Sequence, residues 1–306
     1  MNKLIVNMLQ WLCSRVAVIY IVVFVFCITC VDLKMLDMRI KTRRLNDSIP
    51  DFSQMILFSK YQSVKNMDWK PYKKYFEIIL QYIPDDLVTK NLLGFVDYYM
   101  GDENKAINLF KSSSEVSGKN IFWSNYNLGV IYYKDGKWPQ AAEYLFKAVS
   151  SSPNLNLYLM KNTQVYRQIF VSPYFKYSIS DEIEDAQSHA YILLLSSLHY
   201  MKQYEKMILI ANLSIENEEL SCKDAYYYYE GLGFFEEGQM GKAFLLFQKS
   251  LSIEKNNPDV YYYMANIYQN AGQLQQAKDF LEVSYALHQK NDPRFPLDRN
   301  VNLRFF

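Results

Sequence analysis

Three histidines and four cysteines are the residues of this 306-residue chain best suited to chemistry. His189, His199 and His288 are scattered, with no cysteine or carboxylate at metal-ligand spacing, and His199 reads as a packed core residue. Cys27 and Cys30 form a C-x-x-C pair. Thiol exchange needs an accessible thiolate, usually beside a strand-to-helix junction. This pair lies inside an apolar run, so no redox role is expected of it. Cys30 also makes a poor lipidation site, because Cys27-Ile28-Thr29 lacks the small residue wanted just before a cut. Cys13 adjoins the same run and Cys222 stands alone in the remainder, so the fold must rest on packing rather than on disulfides. The chain has no G-x-x-x-x-G-K-[ST], H-E-x-x-H or G-x-S-x-G pattern. Gly231-Leu232-Gly233 reads as helix packing, and the acidic stretches Asp181 to Asp185 and Glu216 to Glu219 read as solvated helix ends. Catalysis, a metal and a cofactor are all unexpected.

The composition points elsewhere. Tyrosine occurs 27 times and phenylalanine 19, an excess that serves either packing between helices or an aromatic binding surface. A net charge of +1 gives no electrostatic footprint for nucleic acid.

Val16 to Val31 runs without a charge. As a helix it would measure roughly 24 Å, and Leu12, Cys13 and Leu33 can extend it towards the thickness of a hydrocarbon core. No small-residue cleavage site follows, which favours a retained anchor over a signal peptide. The reading is a single-pass protein of the cell or inner membrane, anchored through residues 12–33. Lys34, Arg39, Lys41, Arg43 and Arg44 downstream, against Lys3 and Arg15 upstream, lean the rest of the chain to the cytoplasmic side.

Past a charged juxtamembrane linker at residues 34–52, four segments align on one another: Leu87 to Gly118, Phe122 to Pro153, Asp224 to Lys255 and Pro258 to Gln289. Position eight of each is Gly94, Gly129, Gly231 and Ala265. Position fifteen is Gly101, Gly136, Gly238 and Gly272. Position twenty is Ala106, Ala141, Ala243 and Ala277, position twenty-four is Phe110, Leu145, Phe247 and Leu281, and position twenty-seven is Ser113, Ala148, Ser250 and Ser284. Small residues at eight, twenty and twenty-seven let two helices approach. A glycine at fifteen supplies the left-handed turn between them. The large residue at twenty-four then plugs the gap. Seven of the ten glycines occupy positions eight or fifteen.

This pattern resembles the tetratricopeptide repeat family, carried by Leu128-Gly129, Tyr132, Ala141, Leu145, Ala148 and Pro153. The unit around Gly94 departs from it, with Asp97 at the tyrosine position. Weaker units fill the intervals. Trp69, Tyr72, Phe76, Ile79 and Pro84 close a first unit from about Ser53, and Ser196, 35 residues before Gly231, heads a degenerate one with Leu195, His199, Tyr200 and Ile208. Ser172 to Tyr177 reads as loop, leaving residues 156–188 a decayed unit or an insertion. The resemblance implies an all-α, right-handed superhelical solenoid of antiparallel helix pairs over residues 53–290, seven units with four strong, and no β-sheet within it. A tail at 291–306 follows, and the expected transmembrane helix precedes it.

In such arrays the binding groove is lined by first-helix positions two, five, nine and twelve. Carried over, the eight candidates are Phe95, Tyr98, Trp123, Tyr126, Tyr133, Tyr228, Phe235 and Tyr262, and Tyr200 of the degenerate unit stands at such a position too. Tyr126, Tyr133, Tyr228 and Phe235 are expected to be partly exposed. The function implied is a scaffold or assembly factor near the bilayer, holding other proteins such as membrane-complex subunits. The alternative is a permanent accessory subunit of a membrane complex. Few lysines or arginines occupy these positions, which disfavours a clamp for an acidic C-terminus.

Overall fold

Residues 33–42, 68–151 and 175–290 are described by the computed structural model. Helical residues 33–42 (α1) are followed by α2 (Lys70–Tyr82), α3 (Leu87–Tyr99) and α4 (Glu103–Ser113). Next come α5 (Phe122–Lys134), α6 (Trp138–Val149), α7 (Phe175–Tyr200) and α8 (Tyr204–Glu216). The chain then runs through α9 (Lys223–Glu236), α10 (Met240–Ile253), α11 (Pro258–Asn270) and α12 (Leu274–Gln289). Consecutive helices pack as hairpins, α3 on α4, α5 on α6, α9 on α10 and α11 on α12, and each hairpin packs on its neighbour. The result is an all-helical tetratricopeptide-like solenoid.

The turns form as the glycine spacing requires. Gly101, Gly136, Gly238 and Gly272 have φ of 87°, 69°, 78° and 75°. Each donates its N–H three residues back, and the next residue donates five back, as Gly136 to Tyr133 at 3.0 Å and Lys137 to Tyr132 at 2.9 Å. This pair of bonds satisfies the last carbonyls of the first helix. Lys202 makes the same turn without a glycine, at φ 56°, its N–H bonding His199 and that of Gln203 bonding Leu198. Helix α8 starts two residues later, as its counterparts do after each glycine.

That turn fixes the register of the degenerate unit. Leu195, not Ser196, stands seven residues before the turn, at the position of Gly94 and Gly129. Met207, Ala211 and Ser214 then occupy positions twenty, twenty-four and twenty-seven, and all are buried. The strong units pair a glycine with a bulky residue: a Cβ on Gly94 would meet the Phe110 ring at 2.8 Å, and one on Gly129 would meet Leu145 Cγ at 2.6 Å. In the degenerate unit the large residue is Leu195 and the small one Ala211. The volumes are exchanged between the two helices while their sum is kept, which is how a close-packed interior tolerates change.

Serines at position twenty-seven do more than stay small. Ser250 Oγ donates to Asp224 O at 2.8 Å and Ser284 Oγ to Pro258 O at 2.9 Å, each closing a hairpin at its open end. Asp86 and Asn257 cap α3 and α11 by accepting backbone N–H groups, and Lys223 Nζ donates to the carbonyls of Ser214, Ile215 and Asn217 at the end of α8.

Four expectations are corrected. Glu115–Val116 and Lys119–Asn120 form a two-residue antiparallel ladder between α4 and α5, around Ser117 and Gly118 at positive φ, so this repeat region does contain a small β-hairpin. It lies between units and leaves both hairpins whole. Residues 175–177 belong to α7 rather than to a loop. Residues 33–42 are not a bare linker, because Met38 and Thr42 are buried and Lys41 donates to Tyr82 Oη of α2 at 2.8 Å. The single-pass membrane localisation is also set aside: among the described residues no helix is long and apolar enough to cross a membrane. Helix α7 has the length, at 26 residues, but carries Lys176, Asp181, Glu182, Glu184 and Asp185, and such charges cost about 2.5–3.5 kcal/mol each at the centre of a span. The expected anchor (within 1–32), the start expected for the first unit (53–67), residues 152–174 and the expected tail (291–306) lie outside the described residues.

Candidate functional site

The eight aromatic candidates all stand on first helices, α3, α5, α9 and α11, but the structure divides them. Phe95, Trp123, Tyr126, Tyr133 and Tyr228 are buried. Phe95 packs between Trp69 and Tyr99, with ring centroids at 5.8 and 4.6 Å. Trp123 and Tyr126 both pack on Phe122, at 4.8 and 5.8 Å. Tyr133 meets Trp138 edge-on at 5.1 Å, and its Oη lies 2.7 Å from Ser196 Oγ, tying α5 to α7. Tyr228 packs against Phe247 and Tyr263. The partial exposure expected of Tyr126, Tyr133 and Tyr228 is therefore corrected. Rings of this size are drawn into the seams between units, where they remove the most apolar area from water.

Tyr98, Phe235 and Tyr262 remain accessible. Tyr98 and Phe235 are half-buried, and Tyr262 is 45% exposed. Tyr200 joins them, 49% exposed while stacked on Trp138 at 4.2 Å. Lys134 lies over the Tyr98 ring at 5.8 Å, and burial raises the Tyr98 phenol above its ordinary value. These side chains offer rings and hydroxyls for recognition by shape and hydrogen bonding. Among the described residues no group of three or more His, Cys, Asp or Glu is arranged to hold a metal ion. His199 sits between the rings of Tyr200 and Tyr204, at 5.8 and 6.1 Å.

Sequence reasoning missed the second helices. Leu209 on α8 and Leu245 on α10 are each 60% exposed, and Phe146 on α6 is exposed as well. Between α9 and α10 lies an open cleft of about 600 Å³, lined by Glu230, Phe234, Lys242, Leu245, Leu246, Gln248, Lys249 and Ser252. Glu230 as a residue is only 8% exposed, and burial pushes its carboxyl pKa up against a hydrogen bond from Asn212. The available signal was Leu245 and Leu246 between Lys242 and Lys249, leucines at a helix position that the hairpin core does not need.

Residues 234–295 match the model of the tetratricopeptide repeat family. A search of curated proteins finds no match. Among solved structures, MamA aligns at 18% identity over 65% of this chain and 96% of its own, with a TM-score of 0.47. MamA residues 41 to the end from Desulfovibrio magneticus RS-1 align at 13% identity over 68% of this chain and 98% of their own, TM-score 0.46. YrrB, described as a TPR protein with an unusual peptide-binding site, aligns at 12% identity over 73% of this chain and 95% of its own, TM-score 0.48. At those scores no argument rests on them. The repeat fold stands on the hairpins, the turns and the family match, and a fold of this kind suggests a protein-interaction scaffold.

Proposed function

We propose that this chain is a scaffold that holds an extended or helical apolar segment of another protein along its first-helix face, and so helps assemble that protein into a complex. The observation that supports it is the set of tyrosine and phenylalanine rings at Tyr98, Tyr200, Phe235 and Tyr262. These stay accessible on first helices although every other aromatic candidate is consumed by packing. Tyrosine presents a large, stiff area with a polar tip, which suits the centre of an interface. Phe95, Trp123, Tyr126, Tyr133 and Tyr228 support the face from below.

The test compares two sets of variants. Tyr98→Ala, Phe235→Ala and Tyr262→Ala combined should lose the partner in affinity purification with mass spectrometry, while keeping the helical signal and most of the stability. Anchors of this kind cost about 2 kcal/mol or more each when truncated. Tyr126→Ala should instead lower the melting temperature, since Tyr126 is core. Retention of every partner by the folded triple variant would place binding elsewhere and end this reading. A permanent accessory subunit is the second reading, favoured by the exposed Phe146 and Leu209 on second helices. Partner release at high dilution separates the two, because a permanent subunit would not dissociate.

A further inference from the structure

The cleft on α10 differs in kind from the aromatic first-helix face. Lys242, Leu245, Leu246 and Lys249 follow one another at helical spacings of three, one and three, so they share one side of α10. The two lysines stand two turns apart, roughly 10 Å along the axis. Lys242 Nζ lies over the Phe234 ring at 4.8 Å and Lys249 Nζ over the Tyr227 ring at 5.4 Å. Among the described residues no carboxylate lies within ion-pair distance of either ammonium. Leu245 projects between them, 60% exposed, and Phe234 with Glu230 forms the floor. On the facing α8, Asn212 bonds Glu230, and Leu209 one turn earlier is as exposed as Leu245.

Leu245 thus stands exposed between two cations that rest on rings and hold no ion pair among the described residues. The charge at the rim is positive, and the rings hold it in place. The one negative group, Glu230, sits at the floor, where it repels a carboxylate entering at the centre and accepts a donor there. An occupant with apolar residues in the middle and carboxylates at both ends would cover Leu245 and Phe234 and pair with both lysines, while Glu230 keeps its bond with Asn212. Same-face side chains of an extended strand recur at about 6.7 and 13.4 Å, whereas helix residues seven apart recur at roughly 10 Å, the spacing of the two lysines.

We infer that the α9–α10 cleft, flanked by α8, docks an amphipathic helix of a partner protein, with leucine-like side chains against Leu209, Phe234 and Leu245, and acidic residues seven apart paired with Lys242 and Lys249. This is a second surface, independent of the first-helix aromatics. A partner bound at both surfaces would gain avidity without any new contact.

The test uses the full chain and two synthetic, end-capped helical peptides. One carries a leucine stripe with glutamates seven residues apart, and the other has lysine in place of each glutamate. Fluorescence anisotropy should show the acidic peptide binding about tenfold tighter or more at low salt, with the difference shrinking as salt rises. Lys242→Glu with Lys249→Glu should reverse the preference, and Leu245→Ala should weaken both peptides. All three side chains are exposed, so circular dichroism should be unchanged. Tyr262→Ala should leave peptide binding unaffected, which keeps this outcome separate from that of the first-helix face. Equal affinity for the two peptides, no binding of either, or a charge-reversed variant with unaltered preference would overturn the inference.

Discussion

Lys73 Nζ lies 2.7 Å from Asp97 Oδ1, joining α2 of the first unit to α3 of the next. Asp97 occupies the repeat position where a tyrosine is usual, and its side chain is almost wholly buried. The departure from the repeat pattern thus sets an inter-unit ion pair at the position where Tyr132 and Tyr268 pack on Tyr144 and Phe280 of their own hairpins. The contact is close, although its geometry falls short of a directed hydrogen bond, and Asp102 Oδ2 shares the ammonium at 3.1 Å.

Removing Asp97 should therefore cost stability. Asp97→Ala leaves Lys73 with Asp102 alone, so the loss is expected at roughly 2 kcal/mol, below the 3–5 kcal/mol typical of a fully buried pair. Replacing both, as Lys73→Met with Asp97→Leu, should recover most of it, because an apolar pair needs no desolvation. Urea midpoints for the two single variants and the double variant measure the coupling. Additive losses would mean that the two residues do not act as a pair.

The glycine seam makes a steric prediction. Gly129→Ala places a Cβ within 2.6 Å of Leu145 Cγ and should cost about 1–3 kcal/mol. Leu145→Ala alone opens a cavity and should cost about 2–5 kcal/mol. Combined, the two should cost clearly less than their sum, since each relieves the other. Thermal denaturation of all three variants decides it. The exchanged pair gives the mirror case: Ala211→Leu opposite Leu195 should overpack, as Ala141→Leu should in a strong unit.

Glu230 makes the stability depend on acidity. Burial raises its folded pKa, so its contribution is fully present below the unfolded value near 4.3 and is lost as pH rises through the folded value. At neutral pH the ionised carboxylate is a burden. Glu230→Gln should melt a few degrees above wild type at pH 7, and the gap should close as pH falls to about 4. A gap that is constant with pH would show that Glu230 is not held in a desolvating site.

The alkaline side is governed by phenols. Tyr226 is fully buried, its Oη donating to Ser188 O at 3.4 Å, and burial drives its pKa upward; that of Tyr263 is pushed up to about 12. A raised folded value means that stability is complete below the unfolded phenol value of about 10 and falls as pH climbs past it. The Lys73 ammonium, held above its ordinary value chiefly by Asp97, acts in the same direction. Tyr226→Phe should reduce the slope of stability against pH above 10 by up to about 1.4 kcal/mol per pH unit. Chemical denaturation at pH 8, 10 and 11 measures that slope.

The sequence by itself determined the repeat, because its cause is local. A glycine seven residues after a small residue, followed by an alanine five further on, leaves a chain with one comfortable solution, and Gly101, Gly136, Gly238 and Gly272 adopt it. Where the spacing blurred, only the tertiary structure decided. The degenerate unit shifted by one residue because Lys202 accepts a left-handed conformation that its residue type does not advertise, and because Leu195 and Ala211 exchange volumes across a hairpin. The two-residue ladder at Glu115–Asn120 was similarly hidden in a linker too short to show alternation. Nor could first-helix position tell Tyr126 from Tyr262: both are tyrosines at the same place in the repeat, yet one is sealed by Phe122 and its neighbours while the other, on the last hairpin, faces water. Which ring is core and which is surface depends on the adjoining units, and that information is not local.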